Sequence, residues 1–261
     1  MVTVLRPLSV SELLDRTFHL YRRNFLVFVG IMAVPQLFFL LLRLTSVATL
    51  TVRPLAAFNP IGLLAGLCSY VALEVSAAAT VMAVSNLHLD RPVSIGSAFA
   101  ASRGSMLRVI WISFAVAIAA GIGLIFLIVP GIYLWLMWSL AVPVTVLEGG
   151  GLNVSTRRSQ ALTRGSRGRI FVIYLLMIVL AVIVSLVFQM PLGILVALMR
   201  HGNPAQTIAL IAAVSGIGNF ISTVLVGPLA TIALTLIYYD QRVRKEGFDL
   251  QLMMSSLQPN L

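Results

Sequence analysis

Polar and apolar positions fall in long blocks along this chain. Short basic segments at 6–24, 90–108 and 148–169 each run into a long uncharged stretch. The first stretch, 25–42, just crosses a hydrocarbon core of about 30 Å at about 1.5 Å per residue. Pro35 inside it predicts a kink. The second, 60–87, is interrupted only by Glu74, and its small residues Ser76, Ala77, Ala78, Ala79 and Thr80 suit close helix packing. The third, 109–147, would be about 58 Å long as one helix, far more than a crossing needs. Pro130-Gly131 divides it, which predicts a tight turn and a helical hairpin of spans three and four. Trp111 then suits one interface, and Tyr133, Trp135 and Trp138, just past the turn, suit the other. Spans five and six are 170–199, with a bend at Pro191, and 207–239. Both exceed one crossing, so tilt or a protruding end is expected. The connections are a loop at 45–59 holding Arg53 and a polar turn at 201–206.

The basic segments read as surface helices. Ser9 and Glu12 make a capping box, with Leu8 and Leu13 at the staple positions. Leu14, Phe18, Tyr21 and Phe25 recur at helical spacing, and Glu12, Asp15, Arg16, His19, Arg22 and Arg23 take the other face. Such a helix lies in the headgroup plane with its apolar side down. In 90–108 the pattern is weaker, with Ile95, Ala98, Phe99 and Ser102 on one face. The 148–169 segment, opened by Gly149-Gly150-Gly151, is also read as helical.

The segments resemble one another. RPLSVS at 6–11 aligns with RPVSIG at 91–96, and SRGSMLRVIWI at 102–112 with TRGSRGRIFVI at 163–173. Fixed-period similarity of this kind is the mark of an internal repeat. The expected architecture is an all-α polytopic bundle of six transmembrane helices, with interfacial segments before spans 1, 3 and 5. It forms one domain over 1–240, built from three parallel hairpin units at about 6–89, 90–147 and 148–239, with a cytoplasmic tail at 241–261. Parallel repeats are compatible with transport without pointing to it.

Composition agrees with residence in a bilayer. The 261 residues are 59% hydrophobic and 10% charged, with a mean hydropathy of +1.02; soluble domains carry roughly 25% charged residues. The net charge of +10 would suggest nucleic acid in a soluble protein. Here the basic residues sit between apolar runs, so they report orientation, and no nucleic-acid partner is expected. Of the 18 basic residues, all but Arg43, Arg53 and Arg200 lie in the three segments or the tail, which puts both termini in the cytoplasm. No cleavable signal peptide is expected. Cys68 is the sole cysteine, which excludes an intrachain disulfide and a multi-cysteine metal site.

The stretches RPLSVSELLDRTFHLYRRNF, VPGIYLWLMWSLAVPVTVLEG, RRSQALTRG and LIYYDQRVRKEGFDL resemble the glycerophosphoryl diester phosphodiesterase membrane-domain family. Related six-span bacterial membrane proteins of unassigned function share the pattern. The resemblance covers nearly the whole chain, and YYDQRVRKEGFDL and the PGIYL…VLEG block are its most specific parts. It implies a bacterial inner-membrane protein with six helices and surface segments before spans one, three and five. It does not imply the namesake activity, which belongs to a separate soluble domain. The 8 acidic residues here are too scattered for that chemistry. The family offers no catalytic residues to transfer.

Glu74 is the sharpest single feature. An ionised residue at the centre of a span costs about 2.5–3.5 kcal/mol on insertion scales, so it must face the bundle or a wet cavity. It reads either as a proton- or cation-linked group or as a hydrogen-bonded carboxyl that fixes packing. The second is favoured, since no further charge lies within the apolar runs. Gln36, Gln189 and Asn219 are polar residues inside those runs, suited to interhelical hydrogen bonds of about 0.6 kcal/mol each. Arg22, Arg23, Arg108, Arg157, Arg158, Arg164 and Arg169 are candidate contacts for anionic lipid headgroups. His19, His88 and His201 share no metal-binding spacing, and no cofactor is expected. The leading functional expectation is a non-enzymatic scaffold or accessory subunit, with a protein partner or a second copy. The alternative is a small transporter or channel, favoured if Glu74, Gln36, Gln189 and Asn219 converge on one cavity. A weaker one is a lipid-modifying enzyme using His88, Asp90 or Glu148 at the cytoplasmic rim.

Overall fold

The computed structural model describes residues 9–52, 60–198 and 204–247. Among these residues the chain is helical throughout and contains no strand. The helices are α1 (Val10–Arg23), α2 (Phe25–Val52), α3 (Pro60–His88), α4 (Ile95–Ser102), α5 (Met106–Phe126), α6 (Ile128–Met137), α7 (Ala141–Glu148), α8 (Leu152–Thr163), α9 (Arg167–Leu198) and α10 (Pro204–Glu246). Six stretches are long and apolar enough to cross a membrane, and the fourth of them, Ile128–Glu148, is α6 and α7 in tandem. Leu8, Arg53, Arg200, His201 and the tail beyond Gly247 lie outside the described residues.

Local signals set the short helices. Ser9 Oγ accepts from the Glu12 N–H and Glu12 Oε2 from the Ser9 N–H, at 3.2 and 2.8 Å, completing the box at the start of α1. Ser94 and Ser97 make the same reciprocal pair before α4. α1 divides its apolar residues between the bundle and the surface. Leu13, Thr17 and Tyr21 turn inward, while Phe18 and Phe25 are left exposed. The Tyr21 hydroxyl donates to the Leu225 carbonyl of α10 at 2.8 Å, beside the Val224 carbonyl that Pro228 deprives of a helical donor. Burial pushes Tyr21 up to about 12, so it remains a donor.

Several boundaries differ from the sequence reading. α2 continues to Val52, so Arg43 is helical and 45–52 is not loop. A charge ends an apolar run, but it does not end a backbone hydrogen-bond ladder. The hairpin between spans three and four turns at Leu127, with φ −158° and ψ 134°, and not at Pro130-Gly131. Pro130 is the third residue of α6, in the first turn, where the missing N–H has no intrahelical acceptor to lose. Gly131 has a different use. A Cβ there would come within 2.5 Å of the Leu124 nitrogen, so only glycine lets α5 and α6 approach this closely. Pro35 and Pro191 lie within helices that continue past them. α10 begins at Pro204, where 201–206 reads as a turn, and runs on through Asp240–Glu246, where the sequence reads as tail.

α3 and α10 sit at the centre. α3 packs on α2, α4, α5, α7 and α10, and α10 packs on α9, α2, α1 and α3. The buried core lies toward the end that carries the basic segments, with Phe28, Ile31, Val84, Leu140, Ile170 and Tyr238 among its members. Toward the opposite end the α5–α6 hairpin and α9 stand clear of it, and Ile125, Phe126 and Val129 are exposed. Ser76, Ala78, Ala79 and Thr80 are fully buried, as close packing of small residues requires. The short helices pack on spans: α4 on α3 and α8 on α7, each just before it in the chain, and α1 on the last helix, α10.

Candidate functional site

Span four is broken at residues 138–140, between α6 and α7. The break frees backbone groups, and α8 takes them up. Ser159 and Thr163 both donate to the Met137 carbonyl, at 3.0 and 3.1 Å, and the Leu140 N–H donates to Ser159 Oγ at 3.2 Å. Ser139 Oγ donates to the Leu136 carbonyl at 2.9 Å. A surface helix therefore holds open a discontinuity in a span.

A cavity of about 420 Å³ lies against this break. Glu74 lines it from α3, Ser113 from α5, Trp135 from α6, Trp138 from the break itself, and Tyr174 from α9. The Ser113 hydroxyl donates to Glu74 Oε2 at 2.6 Å, and the Tyr70 hydroxyl, one turn earlier on α3, is a further partner of the same carboxyl. The Trp135 and Tyr174 rings lie 4.4 Å apart between centroids. Ala117 on α5 is exposed and marks the open side. Trp135 and Trp138 are thus not at the far interface, because α6 is short and returns them toward the basic end. Tyr133 likewise meets the guanidinium of Arg167, which lies over its ring at 4.4 Å.

A second cavity, also of about 420 Å³, lies further along α3 and α10. Gln36, Arg43, Ser69 and Asn219 line it. Gln36 Nε2 donates to the Ser69 carbonyl at 3.1 Å, and Ser69 Oγ donates to Gln36 Oε1 at 3.0 Å. Ser69 lines this cavity and the next residue of α3, Tyr70, lines the other. Gln189 lines neither of the two. Its amide donates to Ser185 at 2.6 Å in its own helix, and its stem packs on Gly218, where a Cβ would come within 2.4 Å. The four candidate polar residues therefore do not converge on one cavity, the arrangement expected to favour transport: Glu74 lies in one, Gln36 and Asn219 in the next, and Gln189 in helix packing. No family model matches this chain, and no curated protein or solved structure matches it.

The candidate arginines also divide. Arg22, Arg23, Arg157 and Arg164 are exposed on the basic face. Arg158 is held between Glu148, at 3.0 Å, and Glu246, and its hydrogen bond to Glu246 raises it above its ordinary value. Arg169 pairs at 2.7 Å with Asp240, whose side chain is fully buried. Arg108 donates to the carbonyls of Gly149 and Gly104, closing the left-handed end of α7. These three guanidinium groups are engaged within the fold and are less available to a headgroup. Glu148 is taken up by Arg158 and Tyr238, while His88 stacks on Tyr239. Among the described residues no three His, Cys, Asp or Glu side chains come together as a metal site.

Sequence reasoning did not reach Ser113, Trp135, Trp138 and Tyr174 as neighbours of Glu74. Trp135 and Trp138 carried a weak signal, three residues apart on one helical face. The interfacial habit of tryptophan points elsewhere.

Proposed function

We propose that this chain is a membrane carrier that takes a small molecule into the cavity around Glu74. The observation that carries the reading is the placement of the intramembrane carboxyl at a cavity beside a broken span. Glu74 lines the cavity while keeping the Ser113 and Tyr70 hydroxyls as partners. Broken spans often mark binding sites in transporters; here α8 satisfies the freed backbone, so the break contributes its side chains, Trp138 and Ser139, to the cavity wall. Two consecutive cavities along α3 and α10 offer room for a path. The reaction class is translocation or binding without covalent chemistry. Both termini lie in the cytoplasm of a bacterium, in its inner membrane, as the basic distribution and the resemblance to the membrane-domain family imply. The packing of α4 and α8 each on the span just before it is consistent with repeat units that begin at interfacial helices, as the similarity of 91–96 to 6–11 and of 163–173 to 102–112 suggests. The exposed arginines meet anionic lipid headgroups.

A scaffold is the second reading, favoured by the ion-paired joint between α8 and the end of α10. Native mass spectrometry of gently solubilised protein separates the two. The carrier predicts a small molecule retained by the wild type and lost in Glu74→Gln. A defined oligomer or protein partner, with no such molecule, contradicts it.

A further inference from the structure

The Glu74 cavity has one acidic group and an otherwise apolar, aromatic wall: Tyr70, Trp135, Trp138 and Tyr174, with Ser113 as a hydroxyl partner. We propose that it binds an organic ammonium group carried on an apolar body. This rests on the carrier reading and names its ligand class.

The chemistry narrows the choice. A divalent cation needs about six or more oxygen donors, or near-ideal octahedral geometry. One carboxylate and scattered hydroxyls do not supply that. An uncharged apolar ligand would gain nothing from a carboxylate that is costly to place in a span. A protonated or quaternary amine gains twice, from the carboxylate charge and from the faces of electron-rich rings, which attract cations within about 6 Å of their centroids. Tryptophan is the best such ring, and two of the chain's 3 tryptophans line this cavity. A volume of about 420 Å³ holds a small amphipathic molecule. The ammonium can belong to a free amine or to a zwitterionic lipid headgroup entering past Ala117.

The tryptophans supply the readout. Trp111 is 65% exposed and does not line the cavity, so in a Trp111→Phe background the remaining fluorescence reports on the site. The probe is benzyltrimethylammonium, and the control is its uncharged isostere neopentylbenzene, each titrated into full-length protein in phosphatidylglycerol nanodiscs. The expected result is saturable fluorescence change with the cation, at least tenfold weaker in Glu74→Gln, and none with the isostere. Trp138→Leu should weaken it as well, with the thermal midpoint of Glu74→Gln unchanged as evidence of folding. If nanodiscs containing phosphatidylethanolamine abolish the signal, the ammonium is a lipid headgroup; if they leave it, the ligand is a free amine. Equal response to the isostere, or an undiminished response in Glu74→Gln, overturns the inference. If the native spectra still show a molecule dependent on Glu74, the carrier reading survives and only the ligand class is wrong.

Discussion

At the scale of single residues, the most consequential contact is Asp240. Its side chain is fully buried and accepts from Arg169 at 2.7 Å and from Arg244 at 2.9 Å. Burying a lone carboxylate is prohibitive, so the pair is held together by the cost of separating it. Among the described residues, Nε and Nη2 of Arg169 are themselves buried without hydrogen-bond partners, so the guanidinium has little to fall back on. Asp240→Ala is therefore expected to destabilise the protein by about 3 kcal/mol, measured by thermal unfolding in detergent. The double replacement Asp240→Leu with Arg169→Met should recover most of that loss, because it removes both buried charges and leaves only Arg244, which is 37% exposed and can turn to solvent. Asp240 and Arg169 are 71 residues apart in the chain, and nothing in their spacing pairs them. The box of Ser9 and Glu12 is legible because both partners lie within one turn.

At the scale of elements, length and apolarity reveal the spans, because lipid contact demands long unbroken apolarity on at least one face. The break at 138–140 has no such mark. Leu, Trp and Ser there are as compatible with helix as with a turn, and what opens the helix is the pair of hydroxyls brought by α8. The Pro130-Gly131 pair misleads for a related reason. Proline in a first turn is harmless, and the glycine serves close approach rather than turning. The elements are coupled by these contacts: α8 is tied to the break through Ser159 and Thr163, and to α10 through Arg158 and Glu246. Combining Ser159→Ala with Thr163→Val strips the Met137 carbonyl and the Leu140 N–H of side-chain partners, at about 1–3 kcal/mol for each group left unpaired. The expected outcome is faster amide hydrogen exchange at Leu140 and along α8, with exchange in α3 unchanged. Uniform acceleration in α3 as well would mean that α8 does not act locally on the break.

At the scale of the molecule, the six-span bundle is legible in the sequence, but the distribution of its interior is not. Polar residues within apolar runs announce that they face inward and leave open which neighbours they meet. Gln36 finds Ser69, Gln189 stays within its own helix, and Glu74 finds Ser113 and a cavity. The packed half near the basic end fixes the surface helices, and the two cavities lie along α3 and α10 between that half and the splayed end. The central claim, that the chain is a carrier, requires these cavities to be reached from opposite sides of the membrane. Cysteine labelling tests it most directly. Cys68→Ser removes the native thiol, and Ser139→Cys or Ser69→Cys then places one thiol in either cavity. A membrane-impermeant maleimide is applied to vesicles of each orientation. The account predicts that Ser139→Cys reacts from the side bearing the basic segments and Ser69→Cys from the opposite side. Reaction of both only with a lipid-soluble maleimide would contradict it and leave a sealed bundle.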